Sequence, residues 1–188
     1  MNVLLHICCG PCSIIPVERL SEQGHKLTGF FYNPNIHPYR EWRLRAGTLE
    51  SFAGGRHLDV VFDQEYDLEG FLQKTLPLSR SRERCRHCYR MRLERSARFA
   101  AKMHADAFTS TLLVSPNQQH DVIREEAEAL SSLYGVAFLY QDFRPGFRAG
   151  MAEAKALGLY TQTYCGCIFS ERERYQKRHP GGEGGSVP

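Results

Sequence analysis

Short apolar segments with strand propensity alternate along this chain with segments of helical periodicity. Because each predicted strand is apolar along most of its length, the pattern is typical of a parallel sheet covered by helices on both faces. We therefore predict an α/β fold with one domain and no internal repeat. The predicted strands span residues 3–7, 27–32, 58–62, 106–114 and 136–140, and the predicted helices span residues 13–23, 38–52, 68–76, 82–103, 122–133, 150–157 and 168–178.

The domain boundaries follow from composition. Residues 1–178 are predicted to form the domain, and residues 179–188, rich in glycine and proline, are predicted to be a disordered tail. No apolar run approaches the roughly 20 residues needed to cross a bilayer, so we expect no membrane partner. The first residues contain no basic leader. We therefore expect no signal peptide and a cytoplasmic location, where thiols stay reduced.

Seven cysteines fall into three groups. In a reducing compartment so many cysteines favour metal binding or redox chemistry over structural disulfides. The first group directly follows the first predicted strand, and ligands of parallel sheets gather at the carboxyl ends of the strands. The groups are Cys8, Cys9 and Cys12, then Cys85 and Cys88, and finally Cys165 and Cys167.

The spacing of the cysteines bears on the kind of metal site. Two cysteines three residues apart on a helix place their sulfur atoms on one side of a turn, where they can share a metal. Adjacent cysteines suit zinc poorly because their side chains diverge, whereas a [4Fe–4S] cluster offers four separate corners. We predict such a cluster, with zinc and unligated redox thiols as alternatives. The predicted cluster ligands are Cys8, Cys9, Cys85 and Cys88.

Three cysteines are then left over, namely Cys12, Cys165 and Cys167. Cys165 and Cys167 flank Gly166, and this arrangement can form a strained, easily reduced disulfide or offer two thiolates to a second metal. The alternative is that all three are buried thiols that pack as small apolar side chains.

A strongly basic strip occupies residues 80–98 and is rich in arginine, although the net charge of the whole chain is only +3. Guanidinium groups bind phosphate through planar, bidentate hydrogen bonds, so the strip suits a phosphate-bearing partner. The alternative is a solvated helix face. Arg40, Arg43 and Arg45, with Trp42 among them, are candidates to extend the basic surface.

Five motifs are spread over nearly all of the chain except its tail. They are residues 6–12 (HICCGPC), residues 32–38 (YNPNIHP), Cys85-x-x-Cys88-Tyr89-x-x-Arg92, residues 111–116 (TLLVSP) and residues 164–167 (YCGC). Together and in this order they resemble the cobalamin-independent epoxyqueuosine reductases. The resemblance implies a fold related to the adenine-nucleotide α-hydrolases, a [4Fe–4S] cluster beside a second metal or redox-cysteine site, and the last step of queuosine formation in tRNA.

The resemblance also implies roles for the cysteines. The cluster ligands fall on Cys8, Cys9, Cys85 and Cys88, and the second, catalytic site falls on Cys12, Cys165 and Cys167. Some relatives have Asp where this chain has Cys12. Epoxide reduction to an alkene consumes two electrons and two protons, so an external electron donor is expected. The leftover cysteines would then act as a dithiol or as ligands of a second iron that grips the epoxide oxygen.

The remaining expectations concern proton donors and RNA. Residues 80–98 and Tyr89 are expected to hold an anticodon loop through phosphate contacts and base stacking.

Rival functions are an ATP-dependent tRNA-modifying enzyme of related fold, a zinc-stabilised RNA-binding module and a thiol–disulfide oxidoreductase. Against the first, the cysteine-rich first loop lacks the glycine-rich turn that holds phosphates. Candidate proton donors are His37, His120, Asp121, Tyr32 and Tyr164.

Overall fold

The computed structural model describes residues 1–78 and 80–176. A five-stranded, fully parallel sheet with strand order β3-β2-β1-β4-β5 forms its centre, which confirms the predicted α/β fold. The predicted tail, residues 179–188, lies outside the described residues. The strands are β1 (Asn2–His6), β2 (Lys26–Phe31), β3 (Val60–Phe62), β4 (Ala107–Ser110) and β5 (Ala137–Phe138).

Helices connect the strands and cover both faces of the sheet. None of the described helices is long and apolar enough to cross a membrane. Short 3₁₀ helices occupy Thr111–Val114 and Arg144–Gly146. The α-helices are α1 (Gly10–Glu22), α2 (Tyr39–Arg56), α3 (Leu68–Thr75), α4 (Ser81–Lys102), α5 (His120–Tyr134), α6 (Phe147–Ala156) and α7 (Ile168–Tyr175).

Several element boundaries differ by a few residues from the predictions, and two of these differences bear on the site. Helix α1 begins at Gly10, not at residue 13, because Pro11 suits the first turn of a helix, where its missing N–H costs nothing. Cys12 therefore lies inside the first turn of α1. The strand predicted over residues 106–114 ends at Ser110, whose hydroxyl accepts a hydrogen bond from the Leu112 N–H at 3.1 Å and so starts a 3₁₀ turn.

The order of the strands determines where the site lies. β1 is central, and the chain builds β2 and β3 on one side of it before crossing to β4 and β5 on the other. The connections after β1 and β4 therefore diverge, which leaves a crevice at the carboxyl ends of these two strands. The Cys8 N–H donates to Thr111 Oγ1 at 3.1 Å across this crevice. The first cysteine group and the TLLVSP motif thus meet at the edge where parallel sheets bind ligands.

Burial of β1 gives a test of the fold. Leu5 is fully buried in the central strand, so Leu5→Ala is expected to lower the free energy of unfolding by about 2–5 kcal/mol through lost apolar contact and a residual cavity. The matched control is Leu133→Ala, because Leu133 is 64% exposed on α5, and its expected effect is within about 0.5 kcal/mol. Urea unfolding measures both. Equal effects would contradict the position of β1 at the centre of the sheet.

Candidate metal centre

All seven cysteines meet around one cavity of about 240 Å³. Six of them line it, and Cys9 adjoins it with its sulfur atom 3.7 Å from Cys8 Sγ. One cysteine group comes from the loop after β1 with the first turn of α1, one from the first turns of α4 and one from residues 161–170. Three groups far apart in sequence therefore share one site.

Cys8, Cys9 and Cys12 form the tightest group, with their sulfur atoms within 4.8 Å of one another. Sequence analysis assigned Cys12 to a second site with Cys165 and Cys167, whereas the structure places its sulfur beside those of Cys8 and Cys9. The cavity also brings Cys165 and Cys167 to the same site. The division of the cysteines into two ligand sets therefore stays a prediction.

The three sulfur atoms of this group share negative charge unequally. Hydrogen bonds from the Cys12 and Cys9 thiols hold the pKa of Cys8 well below its usual value. Burial raises the pKa of Cys9 to about 12, and the hydrogen bond to Cys8 raises that of Cys12. Thr111 Oγ1 donates to Cys8 Sγ at 3.3 Å, and Gln162 Nε2 donates to Cys9 Sγ at 3.1 Å. The metal-free group is thus built to hold a thiolate.

Cys85 and Cys88 lie on the first two turns of α4, where Cys88 is buried. Burial raises the pKa of both thiols, that of Cys88 to about 11. Arg92, one turn further along α4, donates from Nη2 to Cys88 Sγ at 3.2 Å and from Nε to the Cys88 carbonyl at 3.1 Å. A buried guanidinium therefore faces the sulfur atoms.

Cys165 and Cys167 flank a turn that requires glycine. Gly166 has φ +132°, and a Cβ there would lie 3.0 Å from Ile36 Cγ1 and 3.3 Å from Arg45 Nη1. The hydrogen bond from the Cys167 thiol lowers the pKa of Cys165 to about 5. The turn thus presents two unequal sulfur atoms at the cavity.

A buried ion pair holds this turn in place. Arg45 Nε donates to Glu41 Oε1 at 2.7 Å, and its two Nη atoms donate to the carbonyls of Tyr164 and Cys165, each at 3.1 Å. The Tyr160 hydroxyl donates to the second Glu41 oxygen at 2.6 Å. Arg45 is therefore a positioning residue, and its expected role in extending the RNA surface is wrong.

The donor set indicates which cofactors fit. Thiolates bind zinc, iron and iron–sulfur clusters, whereas Mg²⁺ and Ca²⁺ require oxygen ligands. Glu173 also lines the cavity, but it is paired with Arg84 at 3.0 Å. Seven cysteines and the Arg92 cation around one cavity therefore fit a thiolate-bound metal or cluster.

A family model for the epoxyqueuosine reductase QueH matches residues 3–173. The chain belongs to this family. A QueH of Dehalococcoides mccartyi is 34% identical over 176 residues, which cover 94% of this chain and 96% of that protein. A QueH of Thermotoga maritima is 33% identical over 184 residues, covering 94% and 93% of the two chains. These matches confirm the resemblance drawn from the five motifs.

One solved structure supports the fold. The crystal structure of a predicted subunit of tRNA methyltransferase from Methanocaldococcus jannaschii matches with a TM-score of 0.55. The two chains share 12% sequence identity, and the match covers 82% of this chain and 75% of that one. This likeness concerns the fold alone.

Of the five proton donors considered for this QueH-family chain, Tyr164 is the one that lines the cavity. Burial raises its pKa to about 12, so the phenol keeps its proton near neutral pH. Burial lowers the pKa of His37 to about 4 and also lowers that of His120, so both rings are neutral there. Asp121 is an exposed carboxylate with a lowered pKa, and Tyr32 packs under Arg95. Tyr164 is therefore the best-placed donor.

Gln162 and Thr111 are site residues that sequence analysis did not single out. Gln162 stands three residues before Cys165 with no spacing pattern of its own, and only folding brings its amide to Cys9. Thr111 lay inside a recognised motif but carried no assigned role. Tyr89, expected to stack on RNA bases, is largely buried but lines the cavity, and its hydroxyl donates to Gln118 Oε1 at 2.7 Å. Its contact with RNA stays a prediction.

The buried ion pair predicts a large effect of one substitution. Arg45→Met leaves the Glu41 carboxylate buried without its cation and frees the Tyr164 and Cys165 carbonyls. We expect a loss of about 3–5 kcal/mol in the free energy of unfolding. In metal-free protein, iodoacetamide is expected to alkylate Cys165 faster, as mapped by mass spectrometry.

The matched control is Arg43→Met, an exposed position on the same helix. It is expected to change the free energy of unfolding by less than about 0.5 kcal/mol and to leave the alkylation rate unchanged. An Arg45→Met protein as stable as the control would remove the positioning role of Arg45.

Proposed function

We propose that this chain reduces epoxyqueuosine to queuosine in the anticodon loop of tRNA, using a [4Fe–4S] cluster. The observation that carries the proposal is the convergence of seven cysteines around one cavity in a member of the QueH family. Structural thiols would not need three distant groups at one ligand-binding edge of a sheet. The proposal also agrees with the expected cytoplasmic location, where tRNA and reduced thiols occur together.

The proposed cluster ligands are Cys8, Cys9, Cys85 and Cys88, which lie on or beside the cavity from two elements, the loop after β1 and α4. Such a cluster, when bound, supplies electrons one at a time, and an external donor must replenish them. Cys12, Cys165 and Cys167 are proposed as the second site, either as ligands of a further iron or as a redox dithiol.

The reaction assigns further tasks to the protein. Opening an epoxide to an alkene takes two electrons and two protons and releases the oxygen as water. Negative charge develops on the departing oxygen, so a proton donor must lie near it. The Tyr164 phenol is protonated and lines the cavity, and it donates to the His37 carbonyl, so this hydrogen bond must break before the proton passes to the departing oxygen. We propose Tyr164 as this donor.

An ATP-dependent relative of the same fold would need backbone N–H groups after β1 to bind phosphates. Here Pro11 has no N–H to offer, and the thiols of Cys8, Cys9 and Cys12 occupy the crevice instead. The reductase is therefore favoured over an ATP-dependent enzyme.

The test is anaerobic purification with iron, sulfide and zinc quantified, followed by assay on an anticodon stem-loop carrying epoxyqueuosine. We expect bound iron and sulfide and, with a chemical reductant, a nucleoside that has lost one oxygen atom by mass spectrometry. Cys88→Ser is expected to lose most of its iron and its activity, because Cys88 is a buried ligand. Zinc-loaded wild-type protein is the matched control and is expected to be folded, pale and inactive. Full conversion by iron-poor protein would overturn the proposal.

The RNA-binding surface needs a correction at α4. Five arginines of residues 80–98 form ion pairs with acidic side chains of this same chain, and Arg92 is buried. The positive charge that the sequence predicts for RNA is therefore largely neutralised in place. The pairs are Arg82–Asp121, Arg84–Glu173, Arg86–Glu125 and Glu126, Arg90–Glu126, and Arg95–Asp63 and Glu65.

The start of α2 is a better surface for RNA. Tyr39 is 53% exposed and stacks on Trp42 with ring centroids 5.6 Å apart. Arg40 and Arg43 are exposed beside it, and among residues 1–78 and 80–176 neither has an ion-pair partner. Stacking on an aromatic ring with nearby guanidinium groups suits an unpaired RNA segment.

Ring contacts join this surface to the cavity. Tyr39 contacts Tyr66 at 5.1 Å, Tyr66 contacts His37 at 6.1 Å, and His37 contacts Phe71 at 5.0 Å between ring centroids. Phe71 lines the cavity. The exposed Tyr39 ring is thus connected through ring contacts to the wall of the cavity.

Salt dependence tests this surface. The double variant Arg40→Gln/Arg43→Gln is expected to reduce the slope of log affinity against log salt by about 1.4, since each single-strand phosphate contact contributes about 0.7. Arg82→Gln/Arg90→Gln is the matched control and should change the slope less, because both side chains are already paired. Fluorescence anisotropy of a labelled anticodon stem-loop measures both. A larger effect in the control pair would return the RNA contact to α4.

A further inference from the structure

Arg92 is a buried cation without a carboxylate partner. It is 4% exposed, and no Asp or Glu pairs with it in the part of the chain that the structure describes. Its guanidinium donates to the sulfur and carbonyl oxygen of Cys88, and its own carbonyl accepts from the Ser96 hydroxyl at 2.7 Å. Its two hydrogen bonds to Cys88 thus hold the guanidinium at the cavity wall.

Burial of such a charge requires an anion. A guanidinium cannot lose its proton in a protein, and an unpaired buried ion costs several kcal/mol. Arg45, the other buried arginine at the cavity, is neutralised by Glu41 at 2.7 Å. The guanidinium lies instead against sulfur, with Nη2 3.2 Å from Cys88 Sγ, and charge on Cys88 and Cys8 would raise the pKa of Arg92. The missing negative charge must therefore reside on sulfur or on what the sulfur atoms hold.

We propose that Arg92 is the counter-charge of the sulfur-bound cofactor and raises its reduction potential. This inference rests on the proposed iron–sulfur function. One electron enters from the external donor and adds one negative charge beside a fixed positive charge, while Arg92 neither gains nor loses a proton. Coulomb attraction therefore favours the reduced state. The N–H donated to Cys88 Sγ acts in the same direction, because hydrogen bonds to ligand sulfur tune the potential of a cluster.

The test is a redox titration of anaerobically purified, cluster-loaded protein, after iron and sulfide have been quantified. Arg92→Met removes both charge and hydrogen bond, Arg92→Gln removes the charge but keeps an N–H donor, and Arg92→Lys keeps the charge. We expect Arg92→Met and Arg92→Gln to disfavour reduction at least tenfold, a shift of about 59 mV to more negative potential for a one-electron couple. Arg92→Lys is expected to stay closer to the wild type than either.

The matched control is Arg90→Met on the same helix, where Arg90 is exposed and paired with Glu126. It is expected to leave the potential unchanged. Should Arg92→Met fail to retain the cluster, Arg92→Gln and Arg92→Lys decide the question between them. If cluster-loaded Arg92→Met and Arg92→Gln have the wild-type reduction potential, or if Arg90→Met shifts the potential equally, the role of Arg92 is overturned. The proposed function is unaffected by that result. A wild-type protein with no redox-active cofactor overturns the proposed function as well.

Discussion

The buried pair of Arg45 and Glu41 is the interaction on which the completed site depends. In residues 160–170, Gly166 is the one buried residue, so this segment has little apolar packing of its own. Hydrogen bonds to Arg45, Glu41 and the His37 N–H hold it instead. Hydrogen bonds are directional, whereas apolar contacts are not. These hydrogen bonds therefore fix the Cys165–Gly166–Cys167 turn at the cavity and also bring Tyr164 to it.

The fold was predictable from the sequence because the spacing of apolar residues indicates which segments are buried. The buried apolar segments are the strands of the central sheet. Apolar runs gave the five strands, and α-helices were found in all seven predicted places. The errors lie where local side chains override periodicity. Ser110 turns the chain into a 3₁₀ helix while the residues after it are still apolar. Pro11 starts α1 three residues before its apolar periodicity begins, because proline suits the first turn of a helix.

The site was predictable in part. The rule that ligands gather at the carboxyl ends of parallel strands placed Cys8, Cys9 and Cys12, but no local pattern tells how the other two groups fold onto them. The charge pattern misled the prediction of the RNA surface for the same reason, since ion pairs also depend on tertiary contacts. The arginines of residues 80–98 are evident in the sequence, whereas their acidic partners lie on α5, on α7 and after β3. Only the tertiary structure shows that these charges are neutralised.

The two buried arginines at the cavity differ in what neutralises them, and this difference separates their roles. The charge of Glu41 is independent of the oxidation state of the site, so Arg45 contributes the same stabilisation throughout a reaction cycle. Arg92 instead donates to the sulfur of Cys88, and with the proposed cofactor bound its counter-charge would change with each electron. Reduction and folding are linked equilibria. An interaction that stabilises the reduced site more than the oxidised site therefore also raises the free energy of unfolding more when the site is reduced. With the proposed cofactor bound, Arg92 would thus couple the stability of the protein to its electron count, while Arg45 would keep the geometry constant as that count changes.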